Sequence, residues 1–281
     1  MRARPPQLPG YVLGSWLGGG ASADVYSAVE QVGGRVWAVK ILRDAGADDP
    51  TALQLFRREA EVGLAVHHPR LVRFIRAETH LAPPFHIVME RLPGESLRTV
   101  LRRGRWLDPV TAGTVARQLA EALAVLHTAG FVHGDVKPDN VHILADRTAK
   151  LLDLGFAHRP GADTQILGDG YVLGTANYIA PELCRRPADD GPAADVYSLG
   201  VTLFELLTGE LPYPEDDVAE TMVLHRDGRA ETLWDWHGRW PIGLNVLLDG
   251  MLARDPADRP TAFAVARELD GLFPRWARGA A

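Results

Sequence analysis

Asp135, Lys137 and Asn140 fall within one decapeptide, FVHGDVKPDN at 131–140, and Asp153 follows in KLLDLG. A carboxylate at 135 can orient a hydroxyl and accept its proton, and an ammonium two residues on can steady a transferring phosphoryl group. Asn140 brings a neutral oxygen and Asp153 a charged one, the hard donors that Mg2+ prefers. Residues 141–152 leave room for a strand, a turn and a return strand. Asp153 is therefore expected at the end of a buried strand, beside Asn140, as a second metal ligand.

Only three of the thirty basic residues are lysines: Lys40, Lys137 and Lys150. A chain that otherwise writes arginine signals, at those places, a need for a compact ammonium. Lys40 ends the alternating apolar run VWAVK. On a helical wheel for 52–66, Leu55, Glu59, Val62 and Val66 share the apolar face, whereas Glu61 projects among Gln54, Arg57 and Arg58. A buried carboxylate that loses its cation costs about 3–5 kcal/mol. Lys40 is the one lysine of this region, so it is paired with Glu59; Arg57 and Arg58 are competitors that point elsewhere on the wheel. Upstream, LGGGASADV sets Gly18, Gly20 and Val25 at G-x-G-x-x-(G)-x-V, with Ala23 where a third glycine could stand. Glycines on a strand-turn-strand let a backbone approach phosphates without a Cβ clash. The same string also suits a plain hairpin. A dinucleotide fold would want a helix next, and ADVYSAVE reads as a strand.

The elements that must position these groups change character along the chain. Up to about residue 90 the pattern is mainly strands, in YVLGSWLGGG, ADVYSAVE, RVWAVKIL, LVRFIRAE and FHIVMERL, with one helix over 52–66. After LPGES it turns helical: Asp108-Pro109 is a start signal and Gly130 a stop for VTAGTVARQLAEALAVLHT. The expected class is α+β in two unequal parts, 11–91 and 92–273, with terminal extensions at 1–10 and 274–281. The net charge of −6 gives no electrostatic case for nucleic acid as a partner. Cys184 is the only cysteine, which excludes an intramolecular disulfide and a thiolate metal cluster; an inert buried thiol is expected. No apolar run approaches the roughly 18 residues that span a bilayer. MRARPPQLPG leads into prolines and not into the apolar core of a signal peptide, so a cytoplasmic chain with no membrane segment is expected. LWDWHGRW holds Trp234, Trp236 and Trp240, expected to pack between helices, with a docking surface as the alternative.

Taken together, these motifs resemble the protein-kinase signature set over about residues 11–273. HGDVKPDN looks like the catalytic loop, DLG the metal-binding triplet and APE at 180–182 the end of the activation segment; DVYSLG from Asp195 and DRP with Arg259 extend the match. More narrowly, the chain resembles the bacterial eukaryotic-like serine/threonine kinases. The resemblance implies a bilobal fold, with a small β-rich N-lobe carrying one key helix and a larger, mainly helical C-lobe. It implies signalling by transfer of the ATP γ-phosphoryl group to a protein serine or threonine, with Mg2+ or Mn2+. Asp135 and Lys137 would be catalytic, Asn140 and Asp153 would hold the metal, and all would converge on one nucleotide cleft. For the nucleotide it implies Leu17, Gly18, Gly19, Gly20, Ala21 and Val25 in the loop, then Ala38, Lys40 and Glu59. Met89 would be the gatekeeper, with Glu90 and Leu92 offering backbone groups to adenine. It also implies a core role for His133, a Glu182–Arg259 pair, Asp195 bracing the catalytic loop, and Thr175 bonded to Asp135 and Lys137. A homodimer is left open.

Two departures stand out. Ala23 replaces the third glycine, and Gly134 replaces the arginine that usually precedes the catalytic aspartate and pairs with a phosphorylated activation loop. Between Phe156 and Ile179 the hydroxyl residues are Thr164, Tyr171, Thr175 and Tyr178. An enzyme active without phosphorylation is expected. HGD also resembles aminoglycoside or choline kinases, but these usually carry His at the Lys137 position and lack the APE and DVYSLG…DRP framework. A pseudokinase scaffold would lack one of Lys40, Glu59, Asp135, Asn140 or Asp153, and all are present.

Overall fold

The alternation in ADVYSAVE and RVWAVKIL becomes a hairpin because the turn between them needs two residues at positive φ, and Gly33 (94°) and Gly34 (65°) supply them. The computed structural model describes residues 6–20, 22–162, 175–186, 189–213, 217–228, 230–236 and 240–279, with side chains to 272. Its contacts group the chain into two units: residues up to Pro93 together with Asp153–Gly155, and Gly94–Leu152 together with the remainder from Phe156.

The first unit is an antiparallel sheet in the order β1-β2-β3-β5-β4. Its strands are β1 Tyr11–Gly19, β2 Ala23–Glu30, β3 Val36–Leu42, β4 Phe74–Glu78 and β5 His86–Glu90. The register pairs Val25 with Lys40 and Asp24 with Ile41, so Lys40 and Val25 share one face and Asp24 takes the other. On the second face Tyr26, Ala28, Val39, Ile41 and Val88 form a core with Leu8 and Tyr11. Helices α1 Asp44–Ala47 and α2 Pro50–Ala65 lead from β3 towards β4. α2 begins two residues earlier than its periodicity suggests, because Asp49 caps it by accepting from Thr51 N at 2.9 Å and Pro50 takes the first turn. It buries Phe56, Glu59, Ala60 and Val62 while Glu61 stays exposed. A Cβ at Gly63 would run into the Phe74 ring, which is how closely α2 lies on β4.

The second unit is mostly helical. Ser96 caps α3 Leu97–Gly104, and Asp108 accepts from the N–H groups of Val110 and Thr111, both at 3.1 Å, to start α4 Pro109–Thr128. A small sheet of β6 Glu95–Ser96, β7 Val141–Ile143 and β8 Ala149–Leu151 carries the strand–turn–strand read from the 141–152 spacing. Then follow α5 Pro181–Arg185, α6 Pro192–Thr208, α7 Val218–Asp227, α8 Ile242–Met251 and α9 Ala262–Gly279. α6 is buried along nearly its whole length and stops at Gly209, whose φ is 80°. With α4 it supplies most of the unit's core, including Leu119, Leu123, Leu126, Leu199, Leu203 and Phe204, each contributing about 1.5–3 kcal/mol by burial. Among the described residues no helix is long and apolar enough to cross a membrane.

Two expectations need correction. Cys184 is half-buried, not buried, and burial pushes its thiol up to about 11, so the group is inert because it stays protonated. The tryptophans of LWDWHGRW do not pack as a set. Trp236 meets Phe204 edge-on, at 5.9 Å between centroids, but Trp234 is 55% exposed and donates its indole N–H to Asp249 on α8 at 2.8 Å.

Candidate active site

In the first unit β3 delivers Lys40 and α2 delivers Glu59 to the same point. Lys40 Nζ donates to both Glu59 oxygens at 2.7 Å and to Asp153 Oδ1 at 2.9 Å. Burial opposes the charge on Lys40, but Asp153 and Glu59 outweigh it and hold the ammonium above the usual lysine range. Burial raises Glu59, Lys40 lowers it and Asp153 raises it again, leaving it at about 7. One cation thus serves two carboxylates, and the triad carries an excess negative charge that suits a further cation. Asp153 is held at φ 49°, a conformation that costs a non-glycine residue about 1–3 kcal/mol and that its bond to Lys40 helps to fix. A Cβ at Gly155 would stand 3.1 Å from Asp153 Oδ1, so a glycine keeps this corner open.

The glycine hairpin closes with Gly20 N–H on Ala23 O at 3.0 Å. A Cβ at Gly18 or Gly20 would meet nothing within 4 Å, which leaves the backbone bare for an approaching group. Ala21 lies outside the described residues. Leu17 is 43% exposed on β1, and Ala38 is buried and paired across the sheet with Met89. Glu90 has its N–H donated to Arg73 O at 2.9 Å, and its side chain accepts from Arg73 N; Leu92 is half-buried.

In the second unit the decapeptide is braced from below. Asp195, on α6, accepts from the N–H groups of His133 (2.7 Å) and Gly134 (2.9 Å) and bonds His127 Nε2 at 2.8 Å. Burial would raise this carboxyl, but His127 and the backbone donors hold it below the usual range. His133 is fully buried, with Nε2 on Leu152 O at 3.0 Å and Nδ1 accepting from Asp135 N at 3.2 Å, so both ring nitrogens are structural. Gly134 has φ 78°, and a Cβ there would lie 3.0 Å from Phe156 O; the backbone itself favours glycine. Above this base Asp135 is buried among polar partners. Thr175 Oγ1 donates to Oδ1 at 2.9 Å, Asn140 Nδ2 to Oδ2 at 2.8 Å, and Lys137 Nζ stands 2.7 Å from Oδ2. Lys137 also donates to Thr175 Oγ1. Asn140 Nδ2 donates a second time, to Asp135 O at 2.8 Å, so both amide protons point inward and the side-chain oxygen is the end left for a metal. Leu152 N donates to Asn140 O at 2.8 Å, bringing the chain just before Asp153 alongside the loop.

The oxygen character of Asn140 and Asp153 fits Mg2+, which binds through one or two side chains plus substrate phosphates and needs no all-protein cage. Among the described residues no cluster of three or more His, Cys, Asp or Glu side chains could hold an ion by itself.

Sequence reasoning missed several braces. Arg98 on α3 donates to Asp139 (3.0 Å), to Tyr178 Oη (2.5 Å) and to Glu205, while Tyr178 donates to Glu205 at 2.6 Å. His158 bonds Asp190 at 2.8 Å. These partners are far apart in sequence; the only signal was a charge at Asp139 beside Asn140. The expected pair of Arg259 with Glu182 on α5 is present, through two bonds at 2.6 and 2.7 Å. Thr164 and Tyr171 lie outside the described residues.

A protein kinase domain model matches residues 11–269. The chain is 34% identical over 259 residues to serine/threonine-protein kinase PknB of Mycobacterium leprae, covering 91% of this chain and 42% of that one. It is 38% identical over 220 residues to PknB of Mycobacterium tuberculosis, covering 76% and 35%. It is 33% identical over 273 residues to probable serine/threonine-protein kinase CE0033 of Corynebacterium efficiens, covering 93% and 41%. The chain therefore spans less than half the length of these relatives. With the Lys40–Glu59–Asp153 triad in one unit and the braced Asp135 loop in the other, the sequence match has its physical counterpart: the chain belongs to the protein kinase family.

Proposed function

We propose that the chain transfers the γ-phosphoryl group of ATP to serine or threonine hydroxyls of a protein, with Mg2+ as the metal. The observation that carries this reading is the Asp135 carboxylate, held at once by Asn140, Lys137 and Thr175. Such a carboxylate is oriented before any substrate arrives, and positioning is most of what phosphoryl transfer asks of a protein. Asp135 orients the acceptor hydroxyl and takes its proton; Lys137 lends positive charge beside it. Lys40, fixed by Glu59, contacts the α- and β-phosphates, and the loop from Gly18 to Val25 covers them. Asn140 and Asp153 would hold the metal, each through a side-chain oxygen. When bound, ATP with Mg2+ supplies the phosphoryl group and neutralises charge on its oxygens.

The names of the relatives support serine or threonine as acceptor. Gly134 supports activity without phosphorylation, since that position has no guanidinium to answer a phosphate and its backbone favours glycine. The test incubates the protein with labelled ATP and Mg2+, alone, with a generic basic protein, and with aminoglycosides. Labelled serine or threonine is expected. Transfer to the sugar, or to nothing, overturns the reading.

A further inference from the structure

The nucleotide hairpin has two faces, and the proposed phosphate contacts use only one. Val25 pairs with both Gly18 and Lys40, which puts these three on one face. Asp24 pairs with Gly19 and Ile41 on the other. On that far face Asp24 links two donors. Its Oδ2 accepts from Arg43 Nε at 2.7 Å, and its Oδ1 accepts from Arg43 Nη2 at 2.9 Å and from Trp16 Nε1 at 3.0 Å. Arg43 follows β3, and its own N–H donates to Ser22 O at 2.9 Å, so it grips the hairpin by backbone and side chain together. Gly19 is the glycine this arrangement needs: a Cβ there would lie 2.6 Å from Asp24 Oδ1 and 2.9 Å from Ala23 O. The middle glycine of LGGG therefore makes room for the clamp, while Gly18 and Gly20 leave the backbone bare.

We propose that the Trp16–Asp24–Arg43 clamp is a positioning device that presets the nucleotide hairpin from the face opposite Lys40, with Asp24 as its pivot. It joins β1, β2 and the residue after β3 close to the tip of the hairpin. A lone exposed ion pair contributes little, but a two-pronged arginine–carboxylate bond with a third donor on the same oxygen also fixes geometry. The contribution is spent on holding the loop near its ATP-bound shape, so it shows in ATP affinity before it shows in the chemical step. This inference rests on the reading of the hairpin as the phosphate loop.

The test measures kcat and KM for ATP and for a peptide in wild type, Asp24→Ala, Arg43→Ala, the double variant and Trp16→Phe, with melting temperature as the folding control. Each single alanine variant is expected to raise the ATP KM about fivefold, equivalent to about 1 kcal/mol. The double variant should be no worse than either, because both remove one device. Trp16→Phe, which loses only the indole N–H, should raise KM about twofold and is the variant least able to disturb folding. kcat and the peptide KM should stay within about twofold. In wild type, ATP should change the part of the tryptophan emission that Trp16→Phe abolishes, and Asp24→Ala should blunt that change. Unaltered ATP KM in the variants, or fully additive effects, overturns the clamp while leaving the nucleotide reading intact. A wild-type protein that neither binds nor turns over ATP overturns both.

Discussion

Asp135 and Lys40 fail differently when altered, because one is surrounded by spare donors and the other by spare charge. Asp135→Asn keeps the shape and one acceptor oxygen but no longer takes a proton, so turnover should vanish in a kinase assay while the protein still folds, as its melting curve would show. Lys40→Met should also abolish turnover, but it strands Glu59 in the core without its cation. Its melting temperature should drop, and Lys40→Met/Glu59→Gln should recover much of the loss. Glu59 also sets a pH dependence. Its folded pKa of about 7 lies above the ordinary 4.5, so the folded protein binds the proton more tightly and stability is lost as pH rises from 4.5 through 7. Denaturant titrations of Glu59→Gln across that window should lack this part of the slope. The Lys40–Glu59 pairing was legible because a helical wheel singles out one buried acid and the region holds one lysine. The third member, Asp153, was legible only as a metal ligand; that Lys40 bridges to it depends on a fold that brings residues 40 and 153 together.

Elements decide where a side chain is even permitted. Gly134 donates its own N–H to Asp195, beside the His133 bond to the same carboxylate, and lies under Phe156 with a left-handed backbone. Gly134→Ala should cost about 1–2 kcal/mol in chemical denaturation, and Gly134→Arg should be at least as costly while leaving activity indifferent to phosphatase treatment. The sequence exposed the missing arginine but not the backbone that favours its replacement, since φ is not written in residue type. α7 holds a second pH-sensitive point. His225 is buried between Tyr197 and Tyr213, and burial lowers it to about 4. The folded state therefore favours the neutral ring, and its contribution is present above 6.5 and lost as pH falls towards 4. Melting curves between these values should show the loss, and His225→Gln should flatten it. The start of α4 was legible because Asp108 precedes Pro109 and an apolar-periodic run. The α2 start was misread by two residues because the Asp49 cap was overlooked in favour of periodicity.

At the scale of the whole molecule, lysine scarcity becomes a chemical property. Three lysines serve 281 residues, and Lys40 and Lys137 each stand against a carboxylate. Acylating reagents attack only the deprotonated amine, and Asp153 with Glu59 keeps Lys40 almost wholly in its unreactive form. A succinimidyl ester should therefore mark Lys40 far more slowly than an ordinary exposed lysine, as peptide mass mapping over time would show. Neutralising Asp153 by substitution should make Lys40 acylate faster, turning a labelling rate into a gauge of how firmly that bridge is held.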